Sequence, residues 1–173
     1  RIWMMSKPFV EQTDHSYLPN KRIQPHGSRL YHQALVIPLF DESNQIVNVQ
    51  FISQSGEKRF LSHARKKGCF YRIGESTDTL LIAEGFATGA SLHEASGLQA
   101  IVAFDVGNLL AVAQNIRKIS PNSEIILCSD NDVSGLGQAK AREAAFDVGG
   151  KVLIPPVIGR DWNDLIAEEL NHV

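Results

Sequence analysis

The sequence predicts an α/β protein, a parallel sheet flanked by helices and preceded by a small, mainly antiparallel β subdomain. Three observations carry this. After Leu80, short apolar runs alternate with helix-like stretches, the pattern of strands joined by crossover helices. Before that point, strand-like runs follow closely with turn residues between them, as in an antiparallel meander. The charge also changes sign there: residues 1–79 hold 11 Lys and Arg against 7 Asp and Glu, and residues 80–173 hold 6 against 12. The expected division is therefore 1–79, basic, and 80–173, acidic, each with its own task.

The elements follow in order. Val10 to Leu18 reads as a short helix ending before Pro19. Ala34–Phe40 is a strand, with Pro38 hinting at an edge or a bulge. Asp41–Asn44 turns, Ile46–Ile52 returns, Gln54–Gly56 turns again and Lys58–Leu61 follows. Cys69–Ile73 reads as the last strand of the meander. Leu80–Ala83 is uniformly apolar, as a strand covered on both faces would be. Helices over about Ala87–Ser96, Asn108–Ile119 and Ser134–Val148 then alternate with strands Ala100–Phe104, Glu124–Cys128 and Lys151–Ile154. Gly97 and Gly149 stand where helices commonly end. Pro155-Pro156 breaks the chain before a final helix, Asp161–Leu170.

With 173 residues, 43% of them hydrophobic, the chain can bury a good-sized core. It holds no apolar run long enough to span a bilayer and no signal-peptide pattern. Cys69 and Cys128 are too few and too far apart for a disulfide framework or a zinc ribbon, so a reducing, cytoplasmic setting is expected. The chain opens on Arg1, and a piece of a longer protein is expected.

Open α/β sheets form their sites at the carboxyl ends of strands. Glu84 directly follows one strand, Asp130 and Asp132 follow another, and Asp161 and Asp164 come shortly after a third. Like charges so close repel, and a hard divalent cation held by oxygen ligands, Mg²⁺ or Mn²⁺, relieves the repulsion. The bland alternative is that these acids cap helices or sit in solvated turns. For Glu84, Asp130 and Asp132 together, metal and phosphate chemistry is the better reading: phosphoryl or nucleotidyl transfer, or phosphodiester cleavage. Gly135 and Gly137 let the backbone pass close to a ligand, and Ser134 is placed to cap the next helix.

Leu81-Ile82-Ala83-Glu84-Gly85, then Ser129-Asp130-Asn131-Asp132, then Gly135 and the alanines after it, resemble the Toprim domain, with a glutamate after its first strand and Asp-x-Asp after its third. Glu84-Gly85-Phe86-Ala87-Thr88-Gly89 and Arg160-Asp161-Trp162-Asn163-Asp164 are similar to the motifs of plasmid- and phage-type primases. So is the stretch from Ile37 through Gly56-Glu57-Lys58-Arg59-Phe60. The resemblance covers most of residues 15–170. It implies metal-dependent, template-directed synthesis of short RNA primers on single-stranded DNA from nucleoside triphosphates. Glu84, Asp130 and Asp132 would be catalytic, and the same three with Asp161 and Asp164 would be metal ligands. It also implies a zinc-binding or helicase domain elsewhere in the full protein. Replicative primases often carry an aspartate where Thr88 stands, so the second acidic cluster is expected to differ, with Asp105 as a peripheral member.

The basic half adds a run, Lys58 to Lys67, with Lys58, Arg59, Arg65, Lys66 and Lys67 among ten residues. Cations with neighbouring aromatics suit a single strand of nucleic acid, although Phe60 and Tyr71 individually read as core. A Toprim nuclease would use the same acids to cut. A non-catalytic Toprim module that binds DNA or a partner protein is a further alternative, against which the full set of acids speaks.

Overall fold

The computed structural model describes residues 1–9 and 15–169. Positions 10–14 of the expected Val10–Leu18 helix lie outside them. The helix that is described, α2 (Tyr17–Lys21), runs through Pro19. A proline in a first turn costs little, because the N–H it lacks has no helical partner there. A short helix, α1 (Ile2–Met5), precedes it.

The first sheet is antiparallel throughout. Its strands are β1 (Lys7–Pro8), β2 (Arg29–Tyr31), β3 (Ala34–Phe40), β4 (Ile46–Ile52) and β5 (Lys58–Phe60), in chain order. β2 pairs only with Ala34–Val36 of β3, so at Pro38 that strand is paired on one side, and its register with β4 shifts between Leu39 and Phe40. Both features accommodate a residue without an N–H.

The second sheet has the order β10–β9–β7–β8–β6. Its parallel strands are β7 (Thr79–Ala83), β8 (Gln99–Val102), β9 (Glu124–Cys128) and β10 (Lys151–Leu153). β6 (Tyr71–Ile73) pairs antiparallel with β8 at the sheet's edge. This corrects the reading of Cys69–Ile73 as the end of the meander: the strand joins the second sheet. The bridge between Phe40 and Phe70 is where the chain passes from one sheet to the other.

Helices α3 (Phe86–Ser96), α4 (Leu109–Ile119), α5 (Leu136–Val148) and α6 (Trp162–Glu169) complete the fold. Along β7 the side chains alternate: Leu80 and Ile82 enter the core beneath α4 and α5, and Leu81 and Ala83 face Leu92 of α3 and Trp162 and Ile166 of α6. A third cluster runs from Leu35, Ile37 and Ile52 of the first sheet through Tyr71 to Phe86 and Ala90 of α3. The two sheets therefore share a core. Tyr71 is a core residue, as read from sequence, its hydroxyl donating to the His26 carbonyl at 2.5 Å; Phe60 is only partly buried and packs against the edge of the shared cluster. No helix among the described residues is long and apolar enough to cross a membrane.

Candidate active site

Register and handover between faces create the crevice. Ala83 of β7 pairs with Val102 of β8 and with Cys128 of β9, so all three strands end at one level. Beyond these ends the chain continues as Glu84, as Phe104-Asp105 and as Asp130-Asn131-Asp132. The central strand β7 hands on to α3, which packs on one face, and its neighbour β9 hands on to α5, which packs on the other. The diverging backbones open the sheet between them, the usual place for a ligand in such folds.

Glu84, Asp105, Asp130 and Asp161 line one cavity of about 290 Å³, together with Tyr17, Lys21, Lys58 and Thr88. Glu84 also faces a second, of about 320 Å³, with Asp132, Val133, Leu136 and Gly137. Asp164 faces a third, of about 550 Å³, shared with Lys58, Lys21 and Arg160. Glu84 and Lys58 thus each open into two of three adjoining spaces.

The acids are held differently. Burial, then the Asp130 and Asp132 charges, pushes the Glu84 carboxyl up to about 7. Burial and the charge of Asp161 push Asp130 up to about 6, against the pull of Lys58. Among the described residues, Glu84 Oε1 and Asp130 Oδ1 are buried without a hydrogen-bond partner, an arrangement costly unless something positive meets them. Asp132 is satisfied: it accepts from the Ser134 hydroxyl and, at 2.9 Å, from the Gly137 amide at the start of α5. These bonds hold its carboxyl below the usual range. Asp161 and Asp164 cap α6 reciprocally, the Asp164 amide donating to Asp161 Oδ1 at 2.8 Å and the Asp161 amide to Asp164 Oδ2 at 3.4 Å. Capping and lining a cavity are not exclusive, since a helix N-terminus collects anions on either account.

Asn131 fixes the loop geometry. Its amide donates to the Arg160 carbonyl at 3.0 Å and its side chain to the Pro155 carbonyl at 2.7 Å, so the Asp130–Asp132 turn and the approach to Asp161 move together. Gly137 has a steric role. A side chain there would begin 2.8 Å from Asp132 Oδ2 and 3.0 Å from Glu84 Oε1, so both carboxylates close on the point its hydrogen occupies.

The chemistry of this donor set suits a hard cation. Two partnerless carboxylate oxygens sit at the strand ends, with Asp132, Asp161 and Asp164 around them. Among the described residues no three carboxylate, imidazole or thiolate groups gather tightly enough to enclose an ion.

The basic run divides. Strand alternation on β5 sends Lys58 toward the cleft, where its Nζ lies 3.5 Å from where a side chain at Gly85 would begin; the residue stays exposed overall, and crowding of its ammonium by protein, with the Lys21 charge beside it, lowers its pKa. Arg59, on the opposite face of β5, pairs with Glu57 at 2.8 Å, and Arg65 pairs with Glu42 at 2.7 Å. Lys66 meets Asp105 at the rim of the cleft. Lys67 is exposed. Tyr17 and Lys21 also line the cleft, and sequence reasoning missed Tyr17. Their spacing, four apart on one short helix, was the available signal. It also missed Asn163, whose buried amide donates to the Lys21 carbonyl at 2.7 Å and to Ser91 at 2.8 Å, tying α6 to α2 and α3.

A glutamate and an Asp-x-Asp at adjacent strand ends of a parallel sheet, with acids from a following helix, define an α/β domain of the Toprim class. The model of the Toprim domain matches residues 79–172, and the chain belongs to that family. It is 36% identical over 163 residues to a DNA primase TraC of Escherichia coli, and 35% identical over 154 residues to another DNA primase TraC from that organism. The matches cover 86% and 80% of this chain but only 15% and 11% of those proteins. The fold is similar to the primase fragment of the bacteriophage T7 primase-helicase protein, with a TM-score of 0.65 at 14% identity over 96% of this chain and 77% of that one. It is also similar to the E. coli primase catalytic core, with a TM-score of 0.57 at 17% identity over 82% of this chain and 50% of that one.

Proposed function

We propose that this chain is the catalytic core of a DNA primase, which joins nucleoside triphosphates into short RNA primers on a single-stranded DNA template. The observation that carries the reading is the pair of buried, partnerless oxygens of Glu84 and Asp130, set at adjacent strand ends and facing Lys58. The kinship with the TraC primases supports it. Glu84, Asp130 and Asp132, with Asp161 and Asp164, are the residues that would hold Mg²⁺ or Mn²⁺. When bound, the ions supply positive charge to the attacking and leaving oxygens of phosphoryl transfer.

The protein's own groups do the rest. Lys58 and Lys21 present two cations to the phosphates from the side opposite the acids. Glu84, with a carboxyl that titrates at about 7, is matched to accept a proton from a primer 3′-hydroxyl or to serve as a ligand. Lys67 is exposed toward a template backbone, and Arg59, Arg65 and Lys66 would join it by exchanging Glu57, Glu42 and Asp105 for phosphates. The relatives' greater length leaves room for partner modules in the full protein, a zinc-binding or helicase domain among them.

The test is primer synthesis from labelled ribonucleotides on single-stranded DNA with Mg²⁺ or Mn²⁺, comparing wild type with Asp130→Ala and Asp132→Ala. Metal-dependent oligoribonucleotides, lost in both variants while their circular dichroism is unchanged, are expected. Full activity in D130A would sink the site assignment. Shortened DNA in place of primers would indicate a nuclease.

A further inference from the structure

Among the described acids that line the cavity with Glu84 and Asp130, Asp105 is the one that already holds a cation in an ion pair. Its carboxylate meets the Lys66 ammonium at the rim. That ammonium also lies 5.1 Å from the centre of the Phe60 ring, and Phe60 meets Phe104 edge-on at 6.1 Å. Phe104 and Asp105 line the same cavity as Glu84 and Asp130. Both partners of the pair are anchored through their backbones. The buried amide of Asn108 donates to the carbonyls of Lys66, Cys69 and Ala103 at 3.2, 3.0 and 2.8 Å, and accepts from the Gly68 amide at 2.7 Å. Phe104, immediately before Asp105, is held at φ +73°, a conformation bulky residues avoid and that surrounding structure must impose.

We propose that Asp105 is an internal substitute for a substrate phosphate: it holds the Lys66 ammonium at the rim of the cleft in the free protein, and the incoming phosphate displaces it. The proposal rests on reading the cleft as a site for polyphosphate or nucleic acid. The pair is suited to exchange. Its side chains are 41% and 34% exposed, so water reaches the ammonium and weakens the pair, although the bridging Asp105 Oδ2 is itself covered. A phosphate with more charge and more acceptor oxygens wins the ammonium from one carboxylate, and a small monoanion does not. Asp105 thus keeps Lys66 extended over Phe60 and sets a threshold that favours polyanions. Lys66 is then a positioning residue for the phosphate, and Asp105 is its competitor.

Binding without metal tests this, because divalent ions would confound it. The probes are ATP and a fluorescent single-stranded oligo(dT), titrated in EDTA at one fixed salt concentration. The proteins are wild type, Asp105→Asn, Lys66→Ala and D105N/K66A. D105N is expected to tighten one ligand about fivefold, the most a weak exposed pair can withhold. In the K66A background the same change should alter affinity by less than about twofold. A gain for ATP assigns Lys66 to the nucleotide's phosphates, and a gain for the oligonucleotide assigns it to the template or primer backbone. Lys66→Gln, which keeps the stem over Phe60, should behave as K66A does. Unchanged or weaker binding by D105N overturns the proposal while leaving the cleft reading intact. So does equal tightening with and without Lys66, which would reveal only the general field of the acids. If wild type binds neither probe, the cleft reading fails and this proposal fails with it.

Discussion

Replacing Glu84 by Gln should stabilise the metal-free protein at pH 8 and do nothing near pH 4. The Glu84 carboxyl keeps its proton to about 7 in the fold, against an ordinary value of 4.5 in the unfolded chain. Below 4.5 both states are protonated and the substitution is neutral. Between the two values the unfolded chain ionises and the fold does not, so stability falls as pH rises, and above 7 the whole loss is present. A difference of this size corresponds to a ceiling of about 3 kcal/mol. Glu84 lines two open cavities, so screening reduces the working figure to about 1–2 kcal/mol. Urea denaturation in EDTA from pH 4 to pH 8 measures it, with E84Q gaining on wild type steadily across the range. Mn²⁺ at pH 8 should reverse the order, because binding to the native state stabilises by mass action and wild type binds more tightly. If E84Q is the less stable protein at pH 8 in EDTA, Glu84 has a favourable partner, and the argument from its unpartnered oxygen fails.

Two further substitutions probe the support of the site. Gly137→Ala should fold normally, since alanine favours a helix by about 1 kcal/mol over glycine. Its methyl begins 2.8 Å from Asp132 Oδ2 and 3.0 Å from Glu84 Oε1, so the carboxylates must part. Mn²⁺ affinity by calorimetry should fall at least about tenfold, roughly 1.4 kcal/mol, and undiminished affinity would mean that the two acids do not act together. Asn108→Ala should cost about 2–3 kcal/mol in urea denaturation, because it strips three carbonyls and an amide of a buried partner. A loss below about 0.5 kcal/mol would show that water replaces it there.

The alternation after Leu80 was legible because each strand is short and apolar and Gly97, Pro121 and Gly149 mark the ends of the helices between them, and the five acids stood out because strand ends are where such sheets place chemistry. What the sequence hid was pairing. Nothing in Tyr71-Arg72-Ile73 distinguishes the last strand of a meander from the antiparallel edge of the next sheet; that choice is made by the partner, β8, nearly thirty residues later. The basic run looked like one surface because composition has no direction. Period-two alternation sets Lys58 on the cleft side of β5 and Arg59 on the other, both exposed, and local carboxylates, Glu57 and Glu42, take up Arg59 and Arg65. The capping reading of Asp132, Asp161 and Asp164 does not exclude the site reading, because the helix starts that need caps are also the walls of the crevice.

The electrostatics explain why the two sheets share one core. The acids at the ends of β7, β8 and β9 repel one another, and the strands' own helices offer them no cation. The positive charge comes from outside the parallel sheet: Lys58 from β5, Lys21 from α2 and Lys66 from the loop before β6. Each must be held to within a few ångströms to matter, since attraction falls with distance and is screened by water. Separately hinged domains would not hold them so. A continuous apolar cluster from Leu35 and Ile52 through Tyr71 to Phe86 does, with Asn163 and Asn108 pinning α6 and the Lys66 loop. The charge division seen in the sequence is therefore a division within one site, in which the basic part supplies the counter-charge that the acidic part lacks.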